Sequence, residues 1–216
     1  ILNSQAGYFF HKGNGFDEQK MFVIPNGIDT KVFKPDINLR YTMRKKLGIA
    51  KSEKVVIFAA RLDPMKGHSK VLQIANMCPD LRFLMIGAGT EKILAPSNVI
   101  TLGVCNQMTS LYNSADIMFH FSNYGEGFPN VIGEAMACGL PVVSNDIGDN
   151  KYIIGNTGVV ISCDTLEKIE IQIRSMLEKS QHISKNTNIR ERIISNFSVS
   201  KMVNSYINFY REVFIK

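Results

Sequence analysis

The sequence predicts an α/β domain built on a doubly wound parallel sheet, and three observations carry that expectation. From Lys54 onward, short β-rich runs alternate with segments of helical spacing. These runs are apolar almost throughout, as strands buried on both faces must be, whereas strands with one solvated face alternate. An apolar content of 45% over 216 residues is ample for a core covered on two sides.

The elements follow in order. Residues 1–35 fit the sheet poorly: "SQAGYFFHKG" reads as a helix broken at Gly13 and Gly15, and "KMFVIPNGIDTKVFKP" as a short strand, a Pro-Asn-Gly turn and a linker. Strands are expected at "KVVIFAA" (54–60), "RFLMIG" (82–87), "NVITL" (98–102), "DIMFHF" (116–121), "PVVS" (141–144) and "GVVI" (158–161). Helices between them include "HSKVLQIANM", "QMTSLYNSA" and "VIGEAMACG", the last stopped by Gly139. Beyond the last strand, "DTLE" at 164–167 is a capping box for a helix with Ile169, Ile173, Met176 and Leu177 on one face. A helix over 186–195 follows, then one over 198–214 with an apolar stripe of Met202, Val203, Tyr206, Phe209, Tyr210 and Val213. The architecture is Rossmann-like.

Composition excludes several functions. No apolar run approaches the roughly 20 residues of a membrane helix. The start, "ILNSQAGYFF", has neither an initiator Met nor the pattern of a signal peptide, so the chain reads as a piece of a longer protein. Cys78, Cys105, Cys138 and Cys163 have no zinc-ligand spacing and sit in or beside apolar segments, the pattern of reduced cytosolic thiols. The net charge of +6, richest at "RYTMRKK" (40–46) and "RER" (190–192), suits phosphate-bearing ligands or an anionic membrane surface, and solvated side chains explain it equally. Nucleic acid is not expected, because no basic stripe is interleaved with aromatics.

Open parallel sheets bind ligands beyond the carboxyl ends of their strands, so chemistry is sought in those loops. "ARLDPMKG" sets Arg61 and Lys66 on one loop closed by Gly67, a pair suited to a diphosphate or simply a solvated basic loop. The turns "IGAGT" (86–90) and "LGV" (102–104) let a ligand approach the backbone, or pack closely. "GEGFPNVIGEAMACG" puts Glu126 in a loop and Glu134 in the helix that Asn130 can cap, whose free N–H groups form an anion site. Two hydroxyl-accepting carboxylates flanking such a site suit a nucleotide sugar; helix-end electrostatics is the alternative.

At these residues the chain resembles a known family. "EGFPNVIGEAMACGLPVV" resembles the E-x7-E signature of retaining glycosyltransferases of the GT-B fold, family 4, the group 1 glycosyl transferases that include many bacterial polysaccharide and lipopolysaccharide enzymes. "VIPNGIDTKVFKP" resembles their interdomain segment, "ARLDPMKG" their basic loop and "NDIGDNKYIIGNTGVVI" the segment after the signature. The resemblance covers nearly the whole chain and implies the C-terminal, donor-binding half of a GT-B fold. Residues 1–35 would end the acceptor domain and link it, 36–186 would bind the nucleotide sugar, and 187–216 would cross back toward the absent half.

It further implies that Arg61 and Lys66 hold the donor diphosphate and that Glu126 bonds the donor-sugar hydroxyls. Backbone amides of Gly127, Phe128, Pro129, Asn130 and Val131 would border sugar and phosphate. Glu134 would grip the ribose, and the turns at Ala88, Gly89 and Val104 would border the base. A UDP-sugar substrate is implied, with no divalent metal and no cofactor. The acceptor implied is a glycan, such as a polyprenyl-diphosphate-linked oligosaccharide in O-antigen synthesis, at the cytoplasmic face of the membrane. Other GT-B chemistry, such as UDP-sugar epimerisation or a phosphorylase, and a noncatalytic nucleotide-sugar module are the alternatives.

The chain departs from the pattern at Ala60, and the acceptor domain of the pattern is not found in these residues. Ala60 stands where the family has Gly, a change expected to crowd the loop slightly. His11 falls outside the donor half, and His120, on a strand, reads as a packed residue. Asp146 and Asp149 form no D-x-D motif and are expected to cap or orient a helix. Without the acceptor domain, the faces of 1–20 and 198–214 are expected to be exposed or repacked, as in a dimer.

Overall fold

The computed structural model describes residues 1–162, 165–179 and 187–214. Among these, β1 (Val55–Ala59), β2 (Arg82–Ile86), β3 (Val99–Thr101), β4 (Ile117–His120), β5 (Val142–Asn145) and β6 (Val159–Ile161) form one sheet in the order β3-β2-β1-β4-β5-β6. Every pairing is parallel. The order reverses direction between β1 and β4, so their outgoing loops lead to opposite faces and open a crevice between them. Helices are α1 (Gln5–Gly13), α2 (Ile37–Lys46), α3 (His68–Met77), α4 (Met108–Ser114), α5 (Asn130–Ala137), α6 (Asn150–Ile154), α7 (Leu166–Lys179), α8 (Thr187–Phe197) and α9 (Val199–Phe214).

The continuous apolar strands serve two cores, because alternate side chains leave opposite faces of a strand. Val55, Ile57 and Ala59 join Leu84, Met118 and Val142 on one face, beneath Tyr112 of α4, Ile132 and Met136 of α5 and Ile193 of α8. Val56 and Phe58 join Phe83, Phe119 and Val143 on the other, beneath Val71 and Ile74 of α3 and the α7 stripe of Ile169, Ile173 and Leu177. Each such fully buried side chain contributes roughly 1.5–3 kcal/mol relative to exposure.

The expected elements are present with boundaries one or two residues shorter or longer, except one. The short strand expected near residues 21–24 is a single bridge, Val23 to Leu2, because Leu2 is the only residue with which this apolar run pairs in strand fashion among the described residues. Cys78 and Cys138 are buried and Cys105 half-buried. Cys163, Asp164 of the capping box and Asn186 lie outside the described residues. The stripe of α9 is partly covered by the segment around that bridge: the Phe22 and Phe209 rings lie 4.7 Å apart, and Gly27 packs so closely that a Cβ there would come 2.7 Å from Val199 Cα. Val203, Ile207 and Val213 stay exposed.

The basic runs at 40–46 and 190–192 turn out to be largely structural. Arg40 Nη2 pairs with Asp116 at 2.7 Å, and the buried Arg44 bonds the carbonyls of Ser114, Ala50 and Glu53 while lying 3.5 Å from the same carboxylate. Arg190 donates to Ala137 O at the end of α5, and Arg192 to Ile153 O and Tyr152 O at the end of α6, each meeting carbonyls that the helix leaves unpaired. Removing Asp116 would strand the Arg44 guanidinium without its counter-charge. Asp116→Ala is therefore expected to cost about 3–5 kcal/mol of stability, read from urea denaturation midpoints; a loss below about 1 kcal/mol would show the cluster to be dispensable.

Candidate functional site

The crevice between β1 and β4 is closed by two loops that hydrogen-bond to each other. Lys66 and Ser122 form an antiparallel bridge. Gly67 N–H donates to Phe121 O at 3.0 Å and Asn123 N–H to Met65 O at 2.7 Å, while Asn123 Nδ2 donates to Pro64 O at 2.8 Å. Glycine is required at 67 by this approach, since a Cβ would lie 2.5 Å from the Phe121 ring. The consequence is a fixed meeting of side chains from distant parts of the chain.

Lys66 Nζ pairs with Glu126 Oε1, the two side chains retaining 15% and 7% exposure. Ser122 Oγ donates to the same oxygen at 2.5 Å, and His120 Nε2 lies 3.5 Å from it. Glu126 Oε2 makes no hydrogen bond among the described residues. Burial opposes ionisation of this carboxyl, but the neighbouring imidazole, the Lys66 ammonium and the Ser122 hydroxyl together outweigh it and hold the pKa down at about 2. Glu126 is thus a fixed anion whose bound oxygen is saturated, leaving the second as an acceptor.

Arg61 does not join this cluster. Its side chain is 66% exposed at the rim and bonds Asp63, at 3.2 Å from Nε and 3.1 Å from Nη2. The glycine turns do sit at the same edge: Ala60 N–H donates to Ile86 O, Leu62 N–H to Ala88 O and Gly87 N–H to Gly103 O, tying the ends of the first three strands together. The tight position is 87, where a Cβ would lie 2.0 Å from Ala60 O. Ala60 itself packs its methyl against the α3-side core, so the expected crowding is absorbed there. Gly89 turns with φ +88°, and Val104, 76% exposed, stands at the lip.

The helix opening beside Glu126 differs from expectation in its cap. Pro129, not Asn130, occupies the N-cap position of α5, and no side chain bonds the first amides. Asn130 is the first helical residue, and its Oδ1 instead accepts from Asn26 Nδ2 at 2.9 Å. Phe128 is a core residue, its ring 5.5 Å from that of Phe197, so only its backbone borders the crevice. Val131 is half-buried at the first turn. Glu134, on the next turn, accepts from Tyr112 Oη at 2.9 Å. Burial raises its pKa, and the bond from Tyr112 opposes that rise. An under-solvated carboxylate gains most from further hydroxyl donors.

Three residues that the sequence reading left out of the site stand in or beside it, two of them, His120 and Asp149, as the packed and helix-capping residues expected. His120 is fully buried beside Glu126 and neither ring nitrogen makes a hydrogen bond among the described residues. Ser122, four positions before Glu126 in a polar loop, was the one readable signal. Asp149 occupies the N-cap position of α6 but makes no cap bond there; its carboxylate caps α1 instead, accepting from Gln5 N and Ala6 N at 2.8 Å each.

The depressed pKa of Glu126 ties stability to acidity. A carboxyl at about 2 when folded, against an ordinary 4.5, contributes stability that is fully present above about pH 5 and is lost as pH falls toward 2. The stability difference between wild type and Glu126→Gln, measured by urea unfolding, is expected to be flat from neutral pH to about 5 and to shrink below. A difference unchanged down to pH 3 would contradict this.

The family model described as glycosyl transferases group 1 matches residues 40–196. A D-inositol 3-phosphate glycosyltransferase of Segniliparus rotundus is 28% identical over 188 residues, covering 77% of this chain and 41% of that protein. The UDP-Gal:alpha-D-GlcNAc-diphosphoundecaprenol alpha-1,3-galactosyltransferase of Escherichia coli is 27% identical over 219 aligned positions, 92% of this chain and 56% of its own length. The crystal structure of Anabaena HepE in complex with UDP and glucose superposes with a TM-score of 0.89 at 24% identity, over 99% of this chain and 63% of that one. The chain spans about half the length of the curated relatives it matches. Its Rossmann-like sheet is that of one half of a GT-B fold, and the chain belongs to the group 1 glycosyl transferases.

Proposed function

We propose that the full-length protein transfers a sugar from a UDP-sugar to a glycan acceptor with retention of anomeric configuration, and that residues 36–186 bind the donor. The observation that carries this reading is the buried Lys66–Glu126 pair at the point where the strand order reverses. A buried ion pair on its own is weak evidence, because desolvation offsets much of its attraction. Its location is what matters: the reversal point is where open α/β sheets take their ligands.

In this reading the donor diphosphate lies against Lys66 and the uncapped N-terminus of α5, with Arg61 swinging from Asp63 to add a planar fork. These groups would stabilise the negative charge that grows on UDP as the glycosidic bond breaks, without a divalent metal. Glu126 Oε2 would accept from sugar hydroxyls. Glu134 would accept from the ribose, gaining the donors that burial denies it, and the backbone at Ala88, Gly89 and Val104 would border the base. Residues 1–35 and 187–216 would join this unit to an acceptor domain.

The Escherichia coli relative supports an acceptor carried on a polyprenyl diphosphate, and hence a role in surface polysaccharide such as O-antigen. A peripheral place at the cytoplasmic face of the membrane follows from such an acceptor. Among the described residues no helix is long and apolar enough to cross a membrane.

A donor screen on the full-length protein tests the reading, with the anomeric configuration of the product read by NMR. Lys66→Ala and Glu126→Ala are each expected to lower transfer at least ~10-fold, about 1.4 kcal/mol of transition-state stabilisation. Full activity in both variants would refute the assignment, and an inverted product would refute retention.

A further inference from the structure

We infer that Asp149 is a positioning residue for the Glu126 loop, clamping that loop to the N-terminus of α1. The inference rests on the reading of Glu126 as the group that meets the donor sugar. Asp149 is 2% exposed and belongs to the segment following β5, within the span that matches the family. Helix α1 lies outside that span, more than 140 positions away, and its first two amides both donate to this carboxylate. Charge and helix dipole favour the contact together.

The same residue reaches the loop through its backbone. Asp149 N–H donates to Gly127 O at 2.9 Å. Its neighbour Gly148, at φ +59°, is pressed so close that a Cβ there would lie 2.7 Å from Glu126 Cβ, Glu126 O and Gly127 O. From the α1 side, Ser4 caps its own helix by accepting from Gly7 N, and a Cβ on Gly127 would lie 3.2 Å from its Oγ. Glu126 and Gly127 are therefore held between Ser4 and Gly148, and Asp149 is the residue bonded to both sides. A shift of α1 is transmitted to the loop that aims Glu126, whereas the backbone of Lys66 is held by its bridge to Ser122 and Glu134 by Tyr112. Orientation errors of this kind reduce catalysis more than binding.

The test uses the full-length protein and separates sugar from nucleotide. Asp149→Ala is expected to lower kcat about tenfold while the affinity for UDP, measured by calorimetry, stays within about twofold of wild type. Asp149→Asn, which keeps one acceptor oxygen, is expected to fall between the two. A second variant leaves Asp149 intact: Gln5→Pro removes one donated N–H at the first helical position, where proline is tolerated and the preceding Ser4 is already extended (φ −149°, ψ 149°). It should lower kcat in the same direction and increase amide exchange across residues 125–127. The inference is overturned if either Asp149→Ala or Gln5→Pro transfers sugar at the wild-type rate, or if UDP affinity and kcat fall together in both. Should Lys66→Ala and Glu126→Ala also leave transfer intact, the functional reading fails first, and the two failures are thereby distinguished.

Discussion

Asp116 joins β4 to β1 at the amino end of the sheet: its carboxylate accepts from Val55 N at 2.7 Å and its own N–H donates to Val55 O at 2.8 Å, with Arg40 and Arg44 neutralising the charge. This contact accompanies a register in which Val56 lies beside Ile117 and Ile57 beside Met118. Because side chains alternate along a strand, a slip of one residue would turn both cores inside out and bring different residues together where the strands end. Lys66 can stand opposite Ser122, and so reach Glu126, only in the register that Asp116 shares in holding. The charged cluster at one edge of the sheet is in this sense set by an ion cluster at the other.

The sheet was legible because its signal is local. Runs such as 55–59 and 83–86 are apolar at every position, and only a strand covered on both sides accommodates that. Residues 21–24 carry a similar signal but lie where one partner residue is available, so composition alone misjudged them. The cap of α5 failed for a related reason: the Asn130 side chain is drawn to Asn26, 104 positions away, and proline takes the boundary.

The site was half legible. Glu126, Glu134 and Lys66 are readable by type and spacing, and the loop ends that carry them follow from strand order. What spacing cannot convey is that Lys66 turns inward to a carboxylate 60 positions on while Arg61, on the same loop, turns out to Asp63. Nor could charge counting foresee that the arginines of 190–192 cap helix ends instead of meeting a ligand. Each of these outcomes is decided by contacts between segments far apart in the chain.

Loops at the edge of a sheet are ordinarily the tolerant part of a fold, free to lengthen and vary. Here they are packed like an interior: an added methyl at 67, 87 or 148 would meet atoms at 2.5, 2.0 and 2.7 Å. The frame that carries the charged cluster therefore has little room for substitution, whereas exposed side chains such as Leu62, Val104 and Tyr124 can change without meeting it. The lip can thus be reshaped one side chain at a time while the arrangement beneath it stays the same.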